Sequence, residues 1–117
     1  MTIANALASL AVSDLDYSAR WYETFLGPGN RPMPEVVEWQ FERGGGLQVY
    51  RGPDRAGHGS CTLIVSDIDE TARDLLTSGV ALDVDPARHD RVDTIMIKDP
   101  DGNSIAFAQP KDRSLAR

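Results

Sequence analysis

The feature that most constrains this chain is an internal repeat. Residues 10–20 read Leu-Ala-Val-Ser-Asp-Leu-Asp-Tyr-Ser-Ala-Arg, and residues 63–73 read Leu-Ile-Val-Ser-Asp-Ile-Asp-Glu-Thr-Ala-Arg. At an offset of 53, seven of the eleven positions are identical, and Leu/Ile and Ser/Thr exchanges fill two more. The offset is close to half of the 117 residues. The chain therefore reads as one small domain made of two copies of a strand–helix–strand unit, at about 1–53 and 58–110, with a tail at 111–117.

Each copy follows the same physical logic. An apolar run ends at Ser-Asp and a helix begins. Asp14 and Asp67 stand where a carboxylate can accept from the free N–H groups of the first turn, and Glu70 makes the second start resemble a capping box. Leu15, Ala19, Tyr22 and Leu26 form one helical stripe, repeated as Ile68, Ala72 and Leu75. Gly27 and Gly79 stand where the helices should stop. The apolar run from Ala4 to Val12 is read as a strand. It lacks a basic leader and falls short of the roughly 20 residues a membrane span needs. Further strands are predicted at 36–43 and 47–51, turned at Gly44-Gly45-Gly46, and at 80–84, 94–98 and 104–108, turned at Asp99-Pro100-Asp101-Gly102. A short strand before Val36 is disfavoured by Pro28, Pro32 and Pro34.

Period-two alternation divides the strands into two faces. Ala8, Leu10, Val12, Leu47, Val49, Cys61, Leu63, Val65, Ile95, Ile97, Ile105 and Phe107 share an apolar face that should lie under the helices. The other face is smaller and mixed: Leu7, Ser9, Ala11, Gln48, Tyr50, Ser60, Thr62, Thr94, Met96, Ser104, Ala106 and Ala108. It either borders a ligand cleft or is solvated or covered by a second chain. Trp39 and Phe41 are candidates for an aromatic wall of that cleft, with ordinary core packing as the alternative. Eighteen acidic against twelve basic residues give a formal charge of −6, which disfavours nucleic acid and anionic membranes as partners and mildly favours cationic ligands. Cys61 is the sole cysteine, which fits a reducing cytoplasm and points to a small core residue rather than a nucleophile. No catalytic constellation, nucleophile elbow or phosphate loop is present.

Three motifs carry a family likeness: Val12-Ser13-Asp14-Leu15-Asp16 followed by Arg20-Trp21-Tyr22 and Phe25-Leu26-Gly27; Val65-Ser66-Asp67-Ile68-Asp69; and Asp99-Pro100-Asp101-Gly102-Asn103 running into a final strand. In this order the sequence resembles the vicinal oxygen chelate superfamily of glyoxalases, bleomycin resistance proteins and extradiol dioxygenases. The resemblance implies an α+β fold of two tandem βαβββ modules, with a curved mixed sheet and the helices on its outer face. It also implies a homodimer. Metal-dependent members of that superfamily hold a divalent ion through His, Glu or Gln on four strands. Distance from the motifs carries those places to Leu7, Gln48, Ser60 and Ala106. Only Gln48 is a ligand of the usual kind, so the expectation is no metal and no cofactor. His58 and His89 are read as loop histidines; a shifted site using His58 with Gln48 is the competing arrangement.

The functional expectation is a metal-independent binding protein for a small molecule, cationic or aromatic, similar to the bleomycin-resistance branch. Trp39, Phe41, Gln48, Tyr50, Ser60, Thr62, Met96 and Ala106 are its candidate lining. A lyase, isomerase or dioxygenase with an atypical metal site is the alternative, and a structural or regulatory domain without a ligand is the third.

Overall fold

The computed structural model describes residues 1–82, 87–88 and 92–111, with the side chains of 87 and 88 left aside. The elements run β1 (Ala8–Val12), α1 (Leu15–Leu26), β2 (Asn30–Met33), β3 (Val36–Gln40), β4 (Gly46–Arg51), β5 (Ser60–Ile64), α2 (Ile68–Thr77), β6 (Ala87–Arg88), β7 (Val92–Lys98) and β8 (Ser104–Pro110). That is βαβββ twice, in an α+β fold. The contacts divide into two compact units. One comprises Met1–Gly59 with Asp99–Asn103, the other Ser60–Lys98 with Ser104–Arg117.

The first unit holds a four-stranded sheet in the order β1-β4-β3-β2. β1 pairs parallel with β4, and the other pairs are antiparallel. Asp14 caps α1 by accepting from the Tyr17 N–H at 3.1 Å. α1 buries Leu15, Ser18, Ala19 and Tyr22 against β3 and β4. Each large apolar side chain so buried stabilises the fold by about 1.5–3 kcal/mol. Gly27 ends the helix at φ 80°, a conformation that costs glycine little. The short strand that the prolines disfavoured is present as β2, with Pro32 inside it. It lies at the sheet edge with a register irregularity between Asn30 and Met33, the setting in which a missing N–H is tolerated.

The second unit repeats the order as β5-β8-β7-β6, again with one parallel pair, β5 with β8. The Asp67 carboxylate accepts from the N–H groups of Asp69 and Glu70, and α2 buries Ile68 and Leu75 against β7 and β8.

The strand predicted at 80–84 is corrected here: residues 80–82 are not strand, and 83–84 lie outside the described residues. Val80 serves instead to close α2. Its N–H donates to the Leu75 carbonyl at 2.9 Å, and the Gly79 N–H donates to Leu76 at 3.1 Å, with Gly79 at φ 82°. This pair of bonds is a Schellman cap with its apolar residue just beyond the glycine, and Val80 is 4% exposed. The predicted strand 36–43 stops at Gln40, because residues 41–45 form the turn. The Phe41 N–H donates to Gly45 and the Gly44 N–H donates to Phe41.

Candidate functional site

The face of the first sheet away from α1 carries a polar row that crosses all four strands. Ser9 pairs with Gln48, Gln48 with Glu38, and Glu38 with Asn30. Paired residues project to the same face. The Gln48 Nε2 donates to Ser9 Oγ at 2.7 Å. Glu38 is half-buried, and Asn30 is exposed. The next row is Ala11, Tyr50 and Val36. The Tyr50 ring is half-buried, and its edge lies where a side chain on Gly52 would stand, with Ala11 beside it. Leu7 stands just before β1 and is 42% exposed.

Trp39 belongs to the opposite face. It pairs with Leu47, is 5% exposed, donates from Nε1 to the Gly27 carbonyl at 2.8 Å, and lies 5.8 Å from the Tyr22 ring. Phe41 sits in the turn at 37% exposure. The suggested wall of Trp39 and Phe41 is therefore not formed, and Trp39 takes the core-packing alternative.

In the second sheet the open face is set by two rows. Ser60 pairs with Ser104, which pairs with Lys98; Thr62 pairs with Ala106, which pairs with Met96. Ser60 and Thr62 are exposed on the edge strand, and Met96 and Ala106 are half-buried. Ile64 continues this face at 51% exposure. Cys61 pairs with Ile105 on the helix-facing side. His58 is an exposed residue outside any strand, and His89 lies outside the described residues.

Residues 99–103 do more than turn the chain. Asp99 is 5% exposed. Its carboxylate accepts from the Tyr22 hydroxyl at 2.7 Å, the Asn103 side chain at 2.7 Å, and the backbone N–H groups of Asn103 and Asp101. Asn103, fully buried, also donates to the Ala11 carbonyl and accepts from the Gly59 N–H. Ser13 donates to Asp101 from both its backbone N–H and its hydroxyl. A side chain on Gly57, at φ 86°, would fall on the Asp101 carbonyl oxygen. The motif predicts a turn, and its partners in the first unit were not foreseen.

A hollow of about 350 Å³ lies at the start of α1, lined among others by Ser13, Asp16, Arg31 and Glu35. Arg31 bonds Asp16 there at 2.9 Å. That hydrogen bond, and then the guanidinium charge, hold the Asp16 carboxyl below its ordinary value. None of the sheet-face candidates lines this hollow.

The profile of the Glyoxalase/Bleomycin resistance protein/Dioxygenase superfamily matches residues 28–107. The chain belongs to this superfamily. A glyoxalase/bleomycin resistance protein from Catenulispora acidiphila is 33% identical, with a TM-score of 0.83 over 92% of this chain and 98% of the other. TnmS3, an antibiotic binding protein from Streptomyces sp. CB03234, is 26% identical, with a TM-score of 0.78 over 95% and 99%. A glyoxalase/bleomycin resistance protein from the same Streptomyces is also 26% identical, at a TM-score of 0.75 over 91% and 100%. No curated protein matches the chain in sequence.

The superfamily's metal chemistry can be tested against the donors of each unit. The first offers Leu7, a hydrocarbon, and Gln48, whose amide nitrogen is engaged by Ser9. The second offers the Ser60 hydroxyl and Ala106, which has no donor. A divalent ion takes three or four good ligands, and one amide with one hydroxyl falls short. Among the described residues, no three His, Cys, Asp or Glu side chains gather to replace them. The positions do not fit a metal.

Proposed function

We propose that this chain is a metal-independent binding protein for a small cationic or aromatic compound, acting as a homodimer and contacting its ligand through the open sheet faces. The donor set at Leu7, Gln48, Ser60 and Ala106 carries the reading. Lyase, isomerase and dioxygenase chemistry in this superfamily works by polarising substrate oxygens on an ion, and these side chains cannot hold one. Support also comes from a relative, matched over 95% of this chain and 99% of its own, that is described as an antibiotic binding protein, and from the acidic balance of the chain. Gln48 and Tyr50 in the first unit, and Ser60, Thr62, Met96 and Ala106 in the second, are the contact residues of this reading. Phe41 stands at the end of the first face, and Trp39 supports it from the core. No helix among the described residues is long and apolar enough to cross a membrane.

Two measurements test the reading. Metal analysis of protein purified without chelator should find no stoichiometric zinc, nickel, manganese or iron. Thermal unfolding with bleomycin and with aromatic cations should rise with concentration and saturate; a ligand at a hundred times its Kd adds about 2.7 kcal/mol. A stoichiometric metal, or no shift with any compound, would refute it.

A further inference from the structure

We infer that Glu38 is the charge-selecting residue of the first unit's open face, and that the compound held there presents a cationic nitrogen bearing hydrogens. This inference rests on the binding-protein reading and deepens it.

Gln48 gives one N–H of its amide to Ser9 Oγ, which leaves its carbonyl oxygen and its second N–H for a ligand. Glu38 stands directly across the strand pair from Gln48, and its carboxylate only accepts. Among the described residues, no Lys, Arg or His pairs with the Glu38 carboxylate. The centre of the row therefore sets a carboxylate without a counter-charge beside an amide that keeps a carbonyl oxygen and one N–H for a ligand. A carboxylate without a counter-charge on an open sheet face is available to a cationic group. An ammonium or amidinium group meets both acceptors through charge-assisted hydrogen bonds. Tyr50, one row along the same face, supplies an aromatic ring for the body of such a compound. Among the described residues, the equivalent row of the second sheet, Thr62, Ala106 and Met96, contains no counterpart of Glu38.

The test compares two probes of matched shape on the full chain. These are 9-aminoacridine, a cation at neutral pH, and acridine, uncharged at the same pH. Fluorescence titration of the unaltered protein should show the cation bound about tenfold tighter or better. Glu38→Gln keeps the shape and removes the charge. It should weaken 9-aminoacridine about tenfold while leaving acridine within about twofold. Glu35→Gln, which removes one exposed carboxylate outside the row, should leave both titrations unchanged. Equal binding of the two probes, a Glu38→Gln loss that affects both alike, or an equal loss in Glu35→Gln overturns the role of Glu38 and leaves the binding reading standing. If neither probe saturates the unaltered protein, the role of Glu38 is overturned, and the binding reading is decided separately by the thermal shifts with bleomycin and the other cations.

Discussion

The two modules share a frame and part company at their second hairpins and on their open faces. In the first, residues 41–45 turn between β3 and β4 in an exposed, glycine-rich loop, pinned where Asn5 accepts from the Gly45 N–H at 2.7 Å. In the second, residues 99–103 turn between β7 and β8 around a buried carboxylate with four donors. The open faces differ as well: Ser9, Gln48, Glu38 and Asn30 on one sheet, Thr62, Ala106 and Met96 on the other. The repeated parts are the helix caps and the apolar faces that hold each unit together. The parts that diverged are those a stable sheet does not dictate, which is where a duplicated fold can take on separate tasks.

That contrast can be broken most directly at Asp99. Asp99→Ala strands the Tyr22 hydroxyl and the donors of Asn103 and Asp101 in a buried setting. It should lower the unfolding free energy in urea by about 3–5 kcal/mol; a loss below about 1 kcal/mol would show that the two turns are equivalent. Tyr22→Phe removes one of the donors and leaves the ring packed against Trp39, so the expected loss is about 1–2 kcal/mol. Asn5→Ala, the corresponding cut at the first turn, should cost no more than about 1 kcal/mol because water can replace the bond.

The faces are compared by giving the first sheet the second's side chain. Glu38→Met should change stability by no more than about 0.5 kcal/mol; a large loss would make Glu38 a fold residue rather than a ligand residue. The smallest effect belongs to Arg31→Ala, whose Asp16 partner is fully exposed. Its sign is set by the lowered Asp16 value. The folded state favours the charged carboxylate, so the contribution is present above the unfolded value and is lost as pH falls through the folded one. The gap between thermal scans of Arg31→Ala and the parent should therefore narrow in acid, leaving the share of the Arg31 bonds to the Pro34 carbonyl, which do not titrate.

Much of this frame was legible in the residues. The repeat located both modules, Asp14 and Asp67 located the helix starts, and Gly27 and Gly79 located their ends, because each is a local requirement of backbone hydrogen bonding. Face assignment across the first hairpin was harder. Three successive glycines permit turns of several lengths, and each added residue reverses the parity of one strand against the other. Only the turn at 41–45 sets Trp39 opposite Leu47 and Glu38 opposite Gln48. Glu38 escaped notice for that reason, although its alternation with Trp39 was visible. The burial of Asp99 was hidden differently: its Tyr22 partner lies 77 residues away, a distance no local pattern reports.

The lodging of residues 99–103 in the first unit also has a consequence for biosynthesis. When Gly59 leaves the ribosome, the Tyr22 hydroxyl, the Ala11 carbonyl and the Gly59 amide still await partners, that of Gly59 lying 44 residues further along. The first unit therefore completes its hydrogen bonding only after residues 99–103 have been translated. A chain cut between the repeats would leave those three groups of the first half to bond water instead.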